Sequence, residues 1–284
     1  MKKLLTLLGA VGVSASAILV RWSTAPSLVL VLYRSTIASL ILTPYVLLRH
    51  RQELFAIRRR ELLLCLASGV FLGLHFAAYF ESLRHTTIAA AVVLVDTEVF
   101  FVALGSVLFL RQKLSKRAWL AIALTFVGSV MVAAAGGGSG GNALRGNLLA
   151  LSGALFMTGY TVIGAICRRT LSNTVYTYIV YWTSALTVLA IALVSGTPLL
   201  GYGPVNFATA AAMAVLCTLL GHSVFNWALK YLPPAFVSTV KLLEPLFSAA
   251  WGLLLFREVP GMPVVLGGVL TVLGIAAYSR ESET

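Results

Sequence analysis

Apolar runs of about 20 residues follow one another along the whole chain, parted by short polar stretches, and each is long enough to cross a hydrocarbon core of about 30 Å as a helix. The pattern predicts ten spans: Leu4–Val20, Pro26–Leu48, Leu62–Phe80, Thr87–Phe109, Trp119–Ala135, Gly146–Ile166, Tyr176–Val194, Phe207–Leu229, Pro234–Phe256 and Pro263–Tyr278. The expected fold class is therefore an all-α integral membrane protein. Lys2, Lys3, the apolar run from Leu4 and the small residues Ser14 to Ala17 imitate a cleavable signal peptide. Cutting after Ala17 would remove the first span and spoil the symmetry below, so the run is read as span 1.

The pattern repeats. A shift of 146 residues brings Glu98 onto Glu244, Leu83 onto Leu229, Phe101 onto Phe247, Arg111 onto Arg257, Thr125 onto Thr271 and Gly128 onto Gly274 without a gap. The joint is the Gly-rich stretch from Gly136 to Gly141, so residues 1–135 form one repeat, 136–145 an outer linker and 146–284 the second repeat. Its G-x-S-x-G match lacks the strand-to-helix context of a hydrolase nucleophile and is set aside. Because five spans are an odd number, two like-ordered halves enter the membrane from opposite sides, giving a 5+5 inverted repeat. With both termini cytoplasmic, fifteen of the 21 Lys and Arg residues fall inside, four (Arg21, Arg84, Arg145 and Arg257) outside and two, Arg34 and Lys241, within the membrane. That asymmetry follows the positive-inside rule.

Composition agrees: 59% of the 284 residues are hydrophobic, 11% are charged and the mean hydropathy is +0.94. The net charge of +12 does not point to nucleic acid, because the basic residues sit at the ends of apolar runs, where they set topology and meet anionic lipid headgroups. Cys65, Cys167 and Cys217 lie in or beside apolar runs and read as small packing residues, with neither disulfide framework nor metal spacing.

The exceptions to the apolar pattern carry the chemistry. Charged side chains at membrane depth cost at least about 2.5–3.5 kcal/mol each and normally face a cavity or a partner; Arg34, Asp96, Glu98, Lys241 and Glu244 qualify. Lys241 and Glu244 are three residues apart on one run, so a continuous helix lets them neutralise each other. Val95 stands where Lys241 would be in the first repeat, which leaves Glu98 the less compensated carboxylate and suits it to reversible protonation. Two readings stand for each group. Lys241 with Glu244 is either a packing ion pair or part of a transport site. Arg34 either docks a substrate carboxylate or holds Glu98, Asp96 or a helix end. Asp96 points to a different face from Glu98 and suits a structural hydrogen bond. His75 with Tyr79, and His222 with Asn226, are each four apart on equivalent spans 3 and 8; they are either buried packing groups or cavity walls. Ser14, Thr158 and Tyr160 could complete such a cavity.

The segments GHSVFNWALKYLPP from Gly221, STVKLLEP from Ser238, LHFAAYFESLRHTTIAAAVVLV from Leu74 and YRSTIASLILTP from Tyr33 resemble the EamA family of the drug/metabolite transporter superfamily. The resemblance spans the chain as two repeats, though Val99 stands where the family has a proline and Gln112 where a glutamate is usual. It implies a ten-helix secondary transporter of small metabolites with a central cavity, in a family that includes amino-acid exporters.

The function expected is export of amino acids or related compounds across the cytoplasmic membrane by alternating access, with protons or another coupling ion as partner. The alternatives are an uncoupled facilitator or channel, or a membrane-embedded enzyme. No phosphate-binding G-x-x-x-x-G-K-[ST] loop and no H-E-x-x-H motif occurs in the chain. Neither cofactor nor metal is expected, the site is expected to be non-catalytic, and no feature of the sequence specifies an oligomer.

Overall fold

The computed structural model describes residues 2–83, 85–86, 88–134, 143–257 and 259–281. The Gly-rich joint, Arg84, Thr87 and Glu258 lie outside them. The described residues form fourteen α-helices and one π-helix: α1 (Lys2–Arg21), α2 (Ser27–Arg49), α3 (Arg51–Phe55), α4 (Arg59–Ser82), α5 (Ile88–Asp96), α6 (Glu98–Leu110), α7 (Lys116–Ala134), α8 (Ala143–Cys167), α9 (Asn173–Val194), α10 (Gly203–Met213), the π-helix Ala214–His222, α11 (Ser223–Ala228), α12 (Pro234–Lys241), α13 (Glu244–Phe256) and α14 (Met262–Glu281). Among them, eight spans are long and apolar enough to cross a membrane; they are built on α1, α2, α4, α5 with α6, α8, α9, α10 through α11, and α14. This is a multi-pass membrane protein. Large apolar side chains such as Leu108, Val194 and Leu254 cover its outside, as lipid contact requires.

Two expected spans are broken rather than continuous. In the fourth, α5 ends at Asp96 and α6 begins at Glu98, while the Thr97 hydroxyl donates to the Leu94 carbonyl at 2.5 Å. In the ninth, α12 ends at Lys241 and α13 begins at Glu244. Pro245 explains this break: it has no N–H for the Lys241 carbonyl, and its ring crowds that same carbonyl. Leu242 and Leu243 close the last turn with tighter bonds to Thr239 and Val240. Each break leaves a carboxylate, Glu98 or Glu244, as the first residue of a half-helix, the end at which the helix dipole favours negative charge. At their far ends, Arg111 (φ 55°) and Arg257 (φ 57°) are the two non-glycine residues with positive φ among the described residues. They too are related by the 146-residue shift.

Helix packing rests on small residues, since between helices in lipid it is close contact rather than water exclusion that holds them together. The tightest case is α7 against α14. A Cβ on Gly128 would lie 2.6 Å from both the Gly267 carbonyl oxygen and the Thr271 nitrogen, and one on Gly274 would lie 2.7 Å from the Thr125 nitrogen. Thr125 therefore faces Gly274 while Gly128 faces Thr271, so the two helices cross antiparallel through the same pair of residues on each side. Elsewhere α1 presses on the π-helix, where a Cβ on Gly221 would lie 2.7 Å from the Val13 side chain.

Polar anchors pin the connections. Asn206 Oδ1 accepts from Ser23 Oγ (2.8 Å) and from the backbone of Thr24 (2.8 Å) and Ala25 (3.1 Å), tying the α1–α2 turn to α10. The Arg-rich connection after α2 contains α3, whose Glu53 accepts from the Ser172 backbone N–H at the start of α9 (2.5 Å) and contacts His50 (3.2 Å). Burial alone would raise the Glu53 pKa, but the Ser172 and His50 contacts outweigh it and hold the carboxyl below its ordinary value.

Replacing Gly128 or Gly274 by alanine is expected to destabilise the fold by about 1–3 kcal/mol, with the double variant less than additive because both changes widen one contact. Thermal unfolding of the purified protein in detergent measures this. The Glu53 contact contributes stability above the unfolded carboxylate pKa of about 4.3 and loses it as pH falls through the lower folded value. The difference in unfolding temperature between the native protein and Glu53→Gln should accordingly be present at pH 7 and close toward pH 3.

Candidate functional site

The two broken helices meet α1, α2, α4, α8 and the π-helix around a buried cavity with about 80 Å³ of space that water-sized molecules can enter. By the usual allowance of about 10–15 Å³ per water, that is room for several waters. Arg34, His75, Tyr79, Asp96, Glu98, His222, Lys241 and Glu244 all line it. They come from five separate stretches of sequence.

One ion pair spans the site. Lys241 Nζ, at the end of α12, donates to Glu98 Oε1, at the start of α6, at 3.0 Å, and lies 3.5 Å from Thr161 Oγ1 on α8. Both partners are buried. The i, i+3 pairing of Lys241 with Glu244 does not occur, because the helix break at Leu242–Leu243 separates them. The charges are thus distributed the other way round from the expectation: Glu98 is the compensated carboxylate, and Glu244 has no ion-pair partner among the described residues. Asp96 accepts from Ser129 Oγ on α7 at 2.9 Å, the structural bond expected of it, while also lining the cavity.

Arg34, on α2, is 2% exposed. Its Nε donates to Thr218 Oγ1 in the π-helix at 3.1 Å, and its guanidinium carbon lies 4.5 Å from the centre of the Phe76 ring. Its Nη2 is buried and has no hydrogen-bond partner. Neither Glu98 nor Asp96 holds it. His75 Nδ1 donates to the Gly153 carbonyl at 2.9 Å, which fixes the tautomer with Nε2 as acceptor. The His75 ring stacks on Tyr79 with centroids 6.1 Å apart, and His222 meets the Phe76 ring edge-on at 5.5 Å.

The π-helix changes what the eighth span presents. Its i→i+5 bonding makes the face turn more slowly than in an α-helix, and Thr218 Oγ1 within it and Ser223 Oγ just after it donate to carbonyls five residues back. Cys217 and His222, five apart, both line the cavity. Asn226 does not: its Nδ2 donates to the Tyr160 hydroxyl at 2.7 Å, and its carbonyl accepts from Arg168 Nε at 3.0 Å. Of the small residues on α1, Ser16 lines the cavity, whereas Ser14 accepts from Trp251 Nε1 at 3.0 Å and secures α1 to α13. Thr158 donates to its own helix at the Ala154 carbonyl. Phe76, Ser16 and Cys217 are cavity residues that the sequence reading did not single out. Arg168, counted there only as a loop charge, is 2% exposed and also donates to the Leu171 carbonyl.

A second hollow, with about 310 Å³ open to water-sized molecules, lies between Leu110, Gln112, Ala165, Arg169 and the segment Leu229–Pro234. Ala165 is one helical turn from Thr161, which lies beside Lys241. The Lys241–Glu98 pair lines the first of the two hollows.

A model of the EamA-like transporter family matches residues 2–134 and again residues 144–280. The pseudopaline exporter CntI of Pseudomonas aeruginosa is 27% identical over 261 residues, covering 92% of this chain and 89% of that protein. An uncharacterised transporter of Archaeoglobus fulgidus is 25% identical over 73% of this chain and 72% of its own. A protein of known crystal structure superimposes with a TM-score of 0.81 over 100% of this chain and 99% of its own at 16% identity, a likeness of fold.

Removing one partner of the buried pair should strand the other charge. Lys241→Met and Glu98→Gln are each expected to cost about 3–5 kcal/mol, and the double variant to recover most of that, as read from thermal unfolding of the three proteins side by side.

Proposed function

The chain belongs to the EamA-like transporter family, and from that premise we propose that it is a secondary active transporter that exports amino acids or related small metabolites across the cytoplasmic membrane. Alternating access operates around the Lys241–Glu98 cavity. The architecture is ten spans, with α7 and the α12–α13 pair completing the eight recognised by length, arranged as a 5+5 inverted repeat with both termini cytoplasmic. The twofold family match supports the division into residues 1–135 and 146–284. The antiparallel, reciprocal contact of α7 with α14 supports the inversion, because equivalent helices of a parallel repeat would run the same way. Similarity to an exporter supports the direction of transport.

The observation that carries the mechanism is the Lys241–Glu98 bond of 3.0 Å, which ties α6 to α12 in the wall of the cavity. Protonating Glu98, or drawing Lys241 to another anion, breaks it and frees α6 from α12. Glu244, without an ion-pair partner, is the second carboxylate able to carry a proton or to hold a cationic group of the substrate. His75, Tyr79 and His222 form the wall, and Asp96 joins it from α5. Movement of the half-helices then opens the cavity alternately to the second hollow, on the cytoplasmic side, and to the outside.

The test is flux in proteoliposomes under an imposed pH gradient, screened over amino acids and amines. Glu98→Gln, alone and combined with Lys241→Met, should abolish flux or make it independent of pH while the protein remains folded. Glu244→Gln should weaken the pH dependence. Normal pH-dependent flux in the Glu98 variants would remove the coupling role, and rapid non-saturating flux would identify a channel.

A further inference from the structure

A guanidinium 2% exposed, lining a cavity, with its Nη2 unpartnered and no ion pair among the described residues, is an incomplete ion pair. Buried charges are compensated by a partner of opposite sign. Arg34 is held ready for one. Thr218 fixes Nε at 3.1 Å from one side, and the Phe76 ring supports the planar group at 4.5 Å, so little side-chain freedom remains to be lost on binding. No carboxylate is bonded to it: Glu98 accepts from Lys241 at 3.0 Å, Asp96 from Ser129 at 2.9 Å, and Glu244, which lines the same cavity and acts on Arg34 electrostatically, makes no ion pair with it.

We propose that Arg34 is the anchor for a carboxylate group on the transported molecule, seated against Phe76 and beside the π-helix. The proposal rests on the transport reading and specifies what that site recognises. The anion is a carboxylate rather than a phosphate for two reasons. A planar two-oxygen group matches the guanidinium fork. A doubly charged tetrahedral anion would share the cavity with Glu244 and Asp96, while Arg34 alone among the described lining residues is a Lys or Arg without an ion pair. Glu244, which lines the same cavity without an ion-pair partner, can take a positive group on the same solute.

The experiment uses the purified full chain in detergent and a matched pair of probes, sodium propionate and propionamide, which differ only in the charged group. Ligands that bind the folded state raise its unfolding temperature by mass action. Propionate is expected to raise it by about 2–4 °C over sodium chloride at equal ionic strength, with no rise from propionamide and a smaller one from sodium phosphate. Arg34→Lys, which keeps the charge and loses the fork, should retain less than half of the propionate shift, and Arg34→Gln none. Equal shifts from propionate and propionamide, a larger shift from phosphate, or an undiminished shift in Arg34→Lys would overturn the assignment. The comparison within the native protein stands even if Arg34→Gln does not fold. A propionate shift in a protein that moves no solute would leave the subsite and remove the transport reading; pH-coupled flux with no propionate effect would do the reverse.

Discussion

A charged bond buried among helices organises this protein. Lys241 and Glu98 meet at 3.0 Å, far apart in sequence, at the ends of two helices that each stop short of crossing the bilayer. Taking both charges out of water is costly, and their attraction offsets the cost only while the geometry is held. Holding it requires α6, α8 and α12 to be in register, so the pair depends on the whole helical frame. In turn the pair ties α6 to α12 across the wall of the cavity. In the transport proposed here, a bond whose rupture is this consequential is an effective place for a proton or a substrate to act.

The broken helices are the second constraint. Backbone N–H and C=O groups are tolerated out of helical pairing at membrane depth only where protein or a cavity receives them. Both breaks border the cavity, and each presents a carboxylate at the start of a half-helix, where the dipole offsets some of its burial. Pro245 imposes the second break through covalent geometry. At the first, the Thr97 hydroxyl donates to the Leu94 carbonyl.

Much of the frame was legible in the apolar runs, because hydrophobic length in a membrane protein is nearly a direct record of helix position. Arg34, Asp96, Glu98, Lys241 and Glu244 stood out because each violates that pattern. Their partnerships did not. The Lys241–Glu244 pairing assumed a continuous helix, whereas Pro245, visible in the sequence, removes the bond that continuity needs. Asn226 was aligned with His222 by α-helical spacing, yet its side chain bonds to the Tyr160 hydroxyl on α8 instead of lining the cavity. The π-helix that precedes it packs against α1 at Gly12 and Gly221, a tertiary contact that no local pattern carries. Arg168 resembled any cytoplasmic charge until its burial against Asn226 and Leu171 was seen.

The seam between α7 and α14 bears on how such a molecule can deform. Thr125 and Gly274, and Gly128 and Thr271, approach so closely that the obstacles to sliding are main-chain atoms, which cannot change rotamer to make way. These two helices are obliged to travel together although they lie in opposite halves of the chain. The family model matches the chain in two segments, 2–134 and 144–280, and this seam fastens a helix of one segment to a helix of the other, so a deformation that separates the two segments has to carry α7 and α14 as one piece.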